Sequence, residues 1–249
     1  MKMRLDKLLL ERGLVPSRER AQALILGGKV LVNEQKIEKS GAAVEPDATL
    51  RLLGDDLKYV SRGGLKLEKA LDHWHIDVAG LLGLDIGAST GGFTDCLLQR
   101  GAERVIAIDT GYGQMDFRLR QDPRVRLLEK TNARFLTHEA IGEFVDFIAM
   151  DVSFISATLV LPAVVRAAFP DIRGQASQGQ LVVLVKPQFE AGRAEVGKGG
   201  VVQSEAAHLA AIERVRACLV QFGAGRTESI DSPILGAEGN REFLLYAAL

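Results

Sequence analysis

The sequence predicts an α/β protein, a mostly parallel sheet with helices on both faces, preceded by a small α+β domain. Three observations lead there. From Leu81 onward, continuous apolar runs alternate with helical stretches, the pattern of strands buried on both faces. A glycine-rich turn, residues 87–92, stands between the first of those strands and the next helix. Residues 1–53 carry helices, short strands and turns of their own, so a separate small core is expected there.

In that leading segment, Leu5, Leu8 and Leu9 share one face of a helix over 4–13, which Gly13 stops. Pro16-Ser17 opens a second helix, with Ser17 as its cap and Ala21, Leu24 and Ile25 on its apolar side; Gly27-Gly28 ends it. Short strands follow at Val30–Val32, after a turn at 33–35, and over 49–53. Residues 54–61 read as a polar link, and Arg62-Gly63-Gly64 breaks the pattern before a helix over 65–73. We therefore expect domains over 1–60 and 61–249. In the second, strands are expected at Leu82–Ile86, 105–109, Val125–Leu128, 145–150, 181–185, 227–231 and Phe243–Ala248, with helices over 92–100, 157–168 and 204–222. The last two strands lie too close for a crossover, which makes that pair antiparallel. Seven strands of this kind match a Rossmann-like methyltransferase architecture.

Composition is that of an ordinary globular chain, 47% hydrophobic and 25% charged. The net charge of −1 argues against coating nucleic acid by bulk electrostatics, but it hides an asymmetry. Residues 1–66 hold 13 Lys/Arg against 9 Asp/Glu, and the remainder 18 against 23. A polyanion would first meet the basic front. Cys96 and Cys218 sit in apolar helical contexts, as core residues of a reducing compartment. With no signal-like or membrane-length apolar run, the expectation is a cytoplasmic protein that neither crosses nor docks on a membrane. No Cys/His spacing suggests a metal.

The clearest site signal is LDIGASTGGFTD, residues 84–95. A dinucleotide fingerprint would need glycine at the middle position, which is Ser89 here, between Gly87 and Gly92. Asp85 precedes Gly87 by two residues, the pattern of loops that wrap the amino-acid end of S-adenosylmethionine. Gly91 and Phe93 complete the turn. Asp109 ends the second strand, where a carboxylate can hold ribose hydroxyls. Asn132 follows the third strand and is a candidate for the adenine end. Asp151 ends the fourth strand and Lys186 the fifth, so both open on one sheet edge. A lysine there is costly unless paired or facing a cleft.

These residues resemble a known family. Lys66 in SRGGLKL, Asp151 in AMDVSF, Lys186 in LVKPQFE and Glu242 in GNREFLLY look like the Lys-Asp-Lys-Glu tetrad of FtsJ-like ribose 2′-O-methyltransferases. The wider wording, with DTGYGQ, TNAR and VSFIS, is similar to the TlyA family, historically labelled hemolysins, whose members methylate cytidine riboses of bacterial rRNA. The stretch RLDKLLLERGLVPSRERAQALILGGKVLVNEQKI looks like the S-four-type RNA-binding domain. The resemblance implies S-adenosylmethionine as cofactor, ribosomal RNA or a ribosomal subunit as partner, and Arg4, Lys7, Arg18, Arg20 and Lys29 as phosphate contacts. It also implies catalysis by Lys66, Asp151, Lys186 and Glu242, with Lys186 the candidate base. Tyr59-Val60 either couples RNA docking to the active site or is a spacer. Loop 190–203, long and Gly-rich, is either a lid over substrate or plain disorder. His73, His75, His138 and His208 have no spacing that suggests metal or a dyad.

Three rivals stay open at this level: a small-molecule O-methyltransferase, a non-catalytic RNA-binding or ribosome-assembly factor, and a membrane-active hemolysin. The nucleotide modified, the subunit carrying it and the oligomeric state are not legible from residues alone.

Overall fold

The computed structural model describes residues 2–15, 17–53, 58–169, 179–192, 195–197, 199–236 and 239–249. Pro16 and part of 54–61 and 190–203 lie outside them. The chain divides into two compact units, Met1–Asp56 and Leu57–Leu249.

In the first unit, β1 (Met3–Arg4) leads into α1 (Leu5–Glu11), and Ser17 caps α2 (Arg18–Leu26) by accepting the Arg20 N–H at 3.2 Å. Then come β2 (Val30–Val32), β3 (Gln35–Lys36), β4 (Ala43–Val44) and β5 (Leu50–Leu52). Strand β1 pairs with β4, while β3-β2-β5 form an antiparallel sheet. The β2–β3 hairpin turns on Asn33 and Glu34, both left-handed, the backbone hand a two-residue hairpin requires. Leu5, Leu9, Ala21, Ile25 and Val30 are fully buried between helices and strands.

The second unit opens with α3 (Gly63–Trp74), two residues earlier than its glycines suggest. They do not break the helix, because close packing requires one of them. A Cβ on Gly64 would collide with the Tyr59 ring, itself in this unit's core. Next in order are β6 (Leu82–Ile86), α4 (Gly92–Gln99), β7 (Arg104–Ile108), α5 (Phe117–Gln121), β8 (Val125–Leu128), a 3₁₀ turn (Ala133–Phe135) and α6 (His138–Ile141). Then follow β9 (Phe147–Met150), α7 (Ala157–Ala168), β10 (Gln180–Val185), α8 (Pro187–Glu190), α9 (Glu205–Gln221), β11 (Arg226–Asp231) and β12 (Phe243–Ala248).

The sheet order is β11-β12-β10-β9-β6-β7-β8, with β12 antiparallel to both neighbours and the other pairs parallel. Leu84 and Ile86 pack under α7 and α9, while Val105, Phe147 and Ala149 pack under α3 and α4. The chain leaves β6 toward β7 and β8, then returns to β9 on the other side. The crevice between β6 and β9 is thus the topological switch point, where open α/β sheets bind ligands.

Candidate functional site

At that switch point Gly87 adopts φ +86°, and a Cβ there would collide with the Asp151 carbonyl; only glycine lets the two loops meet. Ser89, the residue in the fingerprint's middle position, is itself left-handed at φ +48°. Beneath the loop, Asp85 is fully buried and accepts the Thr94 N–H at 2.9 Å and its hydroxyl at 2.6 Å, both on one oxygen. Its other oxygen has no hydrogen-bond partner among the described residues. Burial pushes this carboxyl up to about 7, and the nearby Asp151 and Asp109 carboxylates push the same way. Asp85 therefore holds the first turn of α4 instead of lining a cavity, and Gly91 is packed against Leu119.

Two cavities flank the loop. One of about 570 Å³ is lined by Gly87, Ser89, Asp109, Gln114, Asn132 and Phe154, among others, a volume suited to a nucleoside-sized group. At its edge Asp109 accepts N–H groups from Ser89 at 2.8 Å and Gly111 at 2.6 Å, fixing the carboxylate with lone pairs to spare. Asn132 accepts the Arg134 N–H at 3.0 Å and stays exposed. The second cavity, about 210 Å³, is lined by Arg62, Lys66, Gly92, Phe93 and Gly236, among others. Gly87, Ser89 and Asp151 line both, so the chambers meet at Asp151.

The four tetrad residues come together as two ion pairs. Lys66 Nζ lies 2.5 Å from Glu242 Oε2, and Lys186 Nζ lies 2.5 Å from Asp151 Oδ1. Lys186 also donates to Ser153 Oγ at 2.7 Å. Lys66 and Asp151 face the second cavity, whereas Lys186 and Glu242 stand behind them and line neither chamber.

The five basic candidates belong to the other unit. Arg4 and Arg18 both donate to buried Asp6, Arg4 through Nε at 3.0 Å and Nη2 at 2.9 Å, Arg18 at 3.0 Å; their outer edges stay exposed. Lys7 and Lys29 are exposed, and Arg20 is half-buried on α2.

Sequence reasoning passed over several residues. Ser153 sits in VSFIS, close enough to Asp151 to be suspected. Gln114 and Gly236 become visible only when loops converge. Glu190, the first residue of the loop expected over 190–203, instead ends α8 and is buried; it accepts the Ser156 hydroxyl and the Ala157 N–H, both at 2.6 Å, and so caps α7. His208 is buried, with Nε2 at 2.9 Å from the Val202 carbonyl. Among the described residues no helix is long and apolar enough to cross a membrane, and no cluster of His, Cys, Asp or Glu could hold a metal.

A family model described as "FtsJ-like methyltransferase" matches residues 59–249, and one described as "S4 domain" matches residues 3–50. The chain is 45% identical over 244 residues to "16S/23S rRNA (cytidine-2'-O)-methyltransferase TlyA" of Mycobacterium tuberculosis (strain CDC 1551 / Oshkosh), a match spanning 98% of this chain and 88% of that one. It is 44% identical over 250 residues to "Putative rRNA methyltransferase YqxC" of Bacillus subtilis (strain 168), spanning 98% and 85%. Of solved structures, "Putative hemolysin from Streptococcus thermophilus" matches with a TM-score of 0.73 at 41% identity, covering 99% of this chain and 88% of that one.

Proposed function

The chain belongs to the FtsJ-like methyltransferase family and, within it, to the TlyA family, and from that membership we propose that it moves a methyl group from S-adenosylmethionine to a cytidine ribose 2′-oxygen in ribosomal RNA. The observation that carries this reading is the meeting of two chambers at Asp151, one sized for a nucleoside and one walled by Lys66. In this reading the cofactor occupies the larger chamber. Asp109 holds its ribose hydroxyls, Gly87, Ser89, Gly92 and Phe93 shape the loop around its amino-acid end, and Asn132 stands near the base. Asp85 supports that loop from below. S-adenosylmethionine bound there would supply an electrophilic methyl, together with a sulfur able to take the electron pair of the broken bond.

The protein's own task is to hold the acceptor hydroxyl in line and manage its proton. The acceptor ribose enters the smaller chamber. Lys186, uncharged when it acts, takes the 2′-hydroxyl proton at Nζ past the Asp151 carboxylate, which faces the chamber while Lys186 stands behind it. Asp151 faces the ammonium so formed, and Ser153 fixes its direction. General-base help of this kind is worth about 10²–10⁴ in rate. Lys66, anchored by Glu242, holds the acceptor from the other side.

The N-terminal unit serves as the RNA anchor, through Lys7 and Lys29 and the outer edges of Arg4, Arg18 and Arg20, and Leu57–Leu249 as the catalytic domain. The protein would work in the cytoplasm, where ribosomes are assembled. Incubating it with labelled S-adenosylmethionine and purified subunits, then mapping 2′-O-methyl positions, tests the whole reading. Labelled cytidine riboses support it; a protein that binds cofactor and RNA but transfers no methyl would be a binding factor instead.

A further inference from the structure

Two loops close over the end of β12 where Glu242 enters it, and one side chain ties them together. Asn240 is buried, only 2% exposed. Its Oδ1 accepts the Val202 N–H at 3.0 Å, and its Nδ2 donates to the Gly200 carbonyl at 3.0 Å. Those two bonds use the amide in complementary fashion, so its orientation is determined by the partners. The Asn240 carbonyl in turn accepts the Gly236 N–H at 2.9 Å. Gly236 lies flat against the Glu242 side chain, and a Cβ there would collide with its carboxylate. The strap is pinned a second time where His208 Nε2 meets the Val202 carbonyl at 2.9 Å. On the other side, Ser232 N–H donates to the Glu242 carbonyl at 2.9 Å. Ile234, Leu235 and Gly236 also form one wall of the smaller chamber.

We propose that Asn240 is a positioning residue for the Lys66–Glu242 pair. By tying Gly200 and Val202 to Gly236, whose N–H its carbonyl holds, it sets where the Glu242 carboxylate stands. Glu242 in turn aims Lys66 into the acceptor chamber. Asn240 touches neither the cofactor chamber nor the acceptor chamber, so its influence on transfer runs through Glu242. The idea rests on the transferase reading above, and a wild-type protein that methylates no RNA would overturn that reading first.

The test is a double-mutant cycle of Asn240→Ala with Glu242→Gln in the full chain, read by single-turnover methyl transfer to ribosomal subunits. Misplacement of about 1 Å costs about 10²-fold in such reactions, so Asn240→Ala should slow transfer by about 10–10²-fold. Calorimetric affinity for S-adenosylmethionine should stay within about twofold of wild type, since coupling is confined to neighbours in contact. In the Glu242→Gln background the same change should cost less than about twofold, because the carboxylate it positions is gone. Equal loss in both backgrounds overturns the proposal, as does near-normal transfer, or cofactor affinity that falls in step with transfer. Should Asn240→Ala fold poorly, Asn240→Asp keeps the shape and the Val202 bond but removes the donor to Gly200, and should show the same pattern at smaller size. Hydrogen exchange supplies a readout without activity. Residues 200–202 and 239–242 should exchange faster in either variant while 85–93 does not, and uniform acceleration would mean a general fold defect instead.

Discussion

Asp6 in the first unit and Asp85 in the second are both shut off from solvent, and they are held in opposite ways. Asp6 accepts from Arg4, Arg18 and Gln22, whose donors hold its carboxyl well below the usual carboxylate range. Among the described residues Asp85 has only Thr94, on one oxygen, and burial lifts it far above that range. The small unit thus consumes opposite charge to hold two helices together. The large unit gathers Asp85, Asp109 and Asp151 around one loop, and among the described residues only Asp151 of the three has an ion pair, with Lys186. Buried charge is met by opposite charge at Asp6 and by a hydroxyl and one backbone N–H at Asp85.

The sharpest way to break that contrast is Lys186. If its pairing with Asp151 is catalytic, Lys186→Ala should lower single-turnover methyl transfer by about 10²–10⁴, with cofactor affinity little changed. Lys186→Arg should fail as well, because a guanidinium keeps its proton. Near-normal transfer in the alanine variant would make the pair structural, like Asp6 and its arginines; rescue by arginine alone would leave an electrostatic role and remove the proton transfer.

A second test uses acid. Asp85, with its folded value raised to about 7 from about 3.9 in an unfolded chain, penalises the folded state as pH rises. Stability from this group is greatest below about pH 4, declines toward about 7 and then levels off, a loss on the order of 4 kcal/mol since one pK unit is about 1.4 kcal/mol. Asp6, with its value depressed, acts in the other direction: its contribution is present above the ordinary carboxylate range and vanishes only in strong acid. Melting curves of Asp85→Asn should lose the slope between about pH 4 and 7. An unchanged slope would mean Asp85 is not the odd group it appears on geometry.

Smaller effects should follow at the rims. Asp109→Ala should weaken S-adenosylmethionine binding by roughly 1.5–3 kcal/mol, the scale of charge-assisted hydrogen bonds, with the fold intact by circular dichroism. Unchanged calorimetric affinity would remove Asp109 from the site. Replacing Lys7 and Lys29 together with alanine should cost least, about tenfold in rRNA affinity at moderate salt, and make the salt dependence shallower by up to about two ion equivalents. An unaltered slope would show that these exposed lysines do not meet phosphate.

Much of this was legible before any coordinates. The strands carry their own signal, since Phe147–Met150 and Gln180–Val185 are nearly unbroken apolar runs that no exposed element could use. Asp151 and Lys186 stand out as site candidates in the same way, each directly after such a run, whereas Lys66 and Glu242 are suggested only by the family resemblance. What escaped was made by convergence. The β1–β4 pair, two residues each, is too short to leave a period, and α5, α6 and α8 span only four or five residues each. Asp85 reads like a ligand-loop acid but lies beneath the loop. Glu190 reads as loop polarity but is a cap for a helix that begins 33 residues earlier. Neither burial nor a partner that distant has a local signature.

The place of β12 has a consequence for how the sheet assembles. The strand sits between β10 and β11, and the Glu242 that precedes it meets Lys66 across 176 residues of sequence. Contacts that distant cost loop-closure entropy before they repay it, so they form slowly. The Lys66–Glu242 pair is therefore expected to consolidate late in folding, a mark of the finished sheet and not of its first contacts.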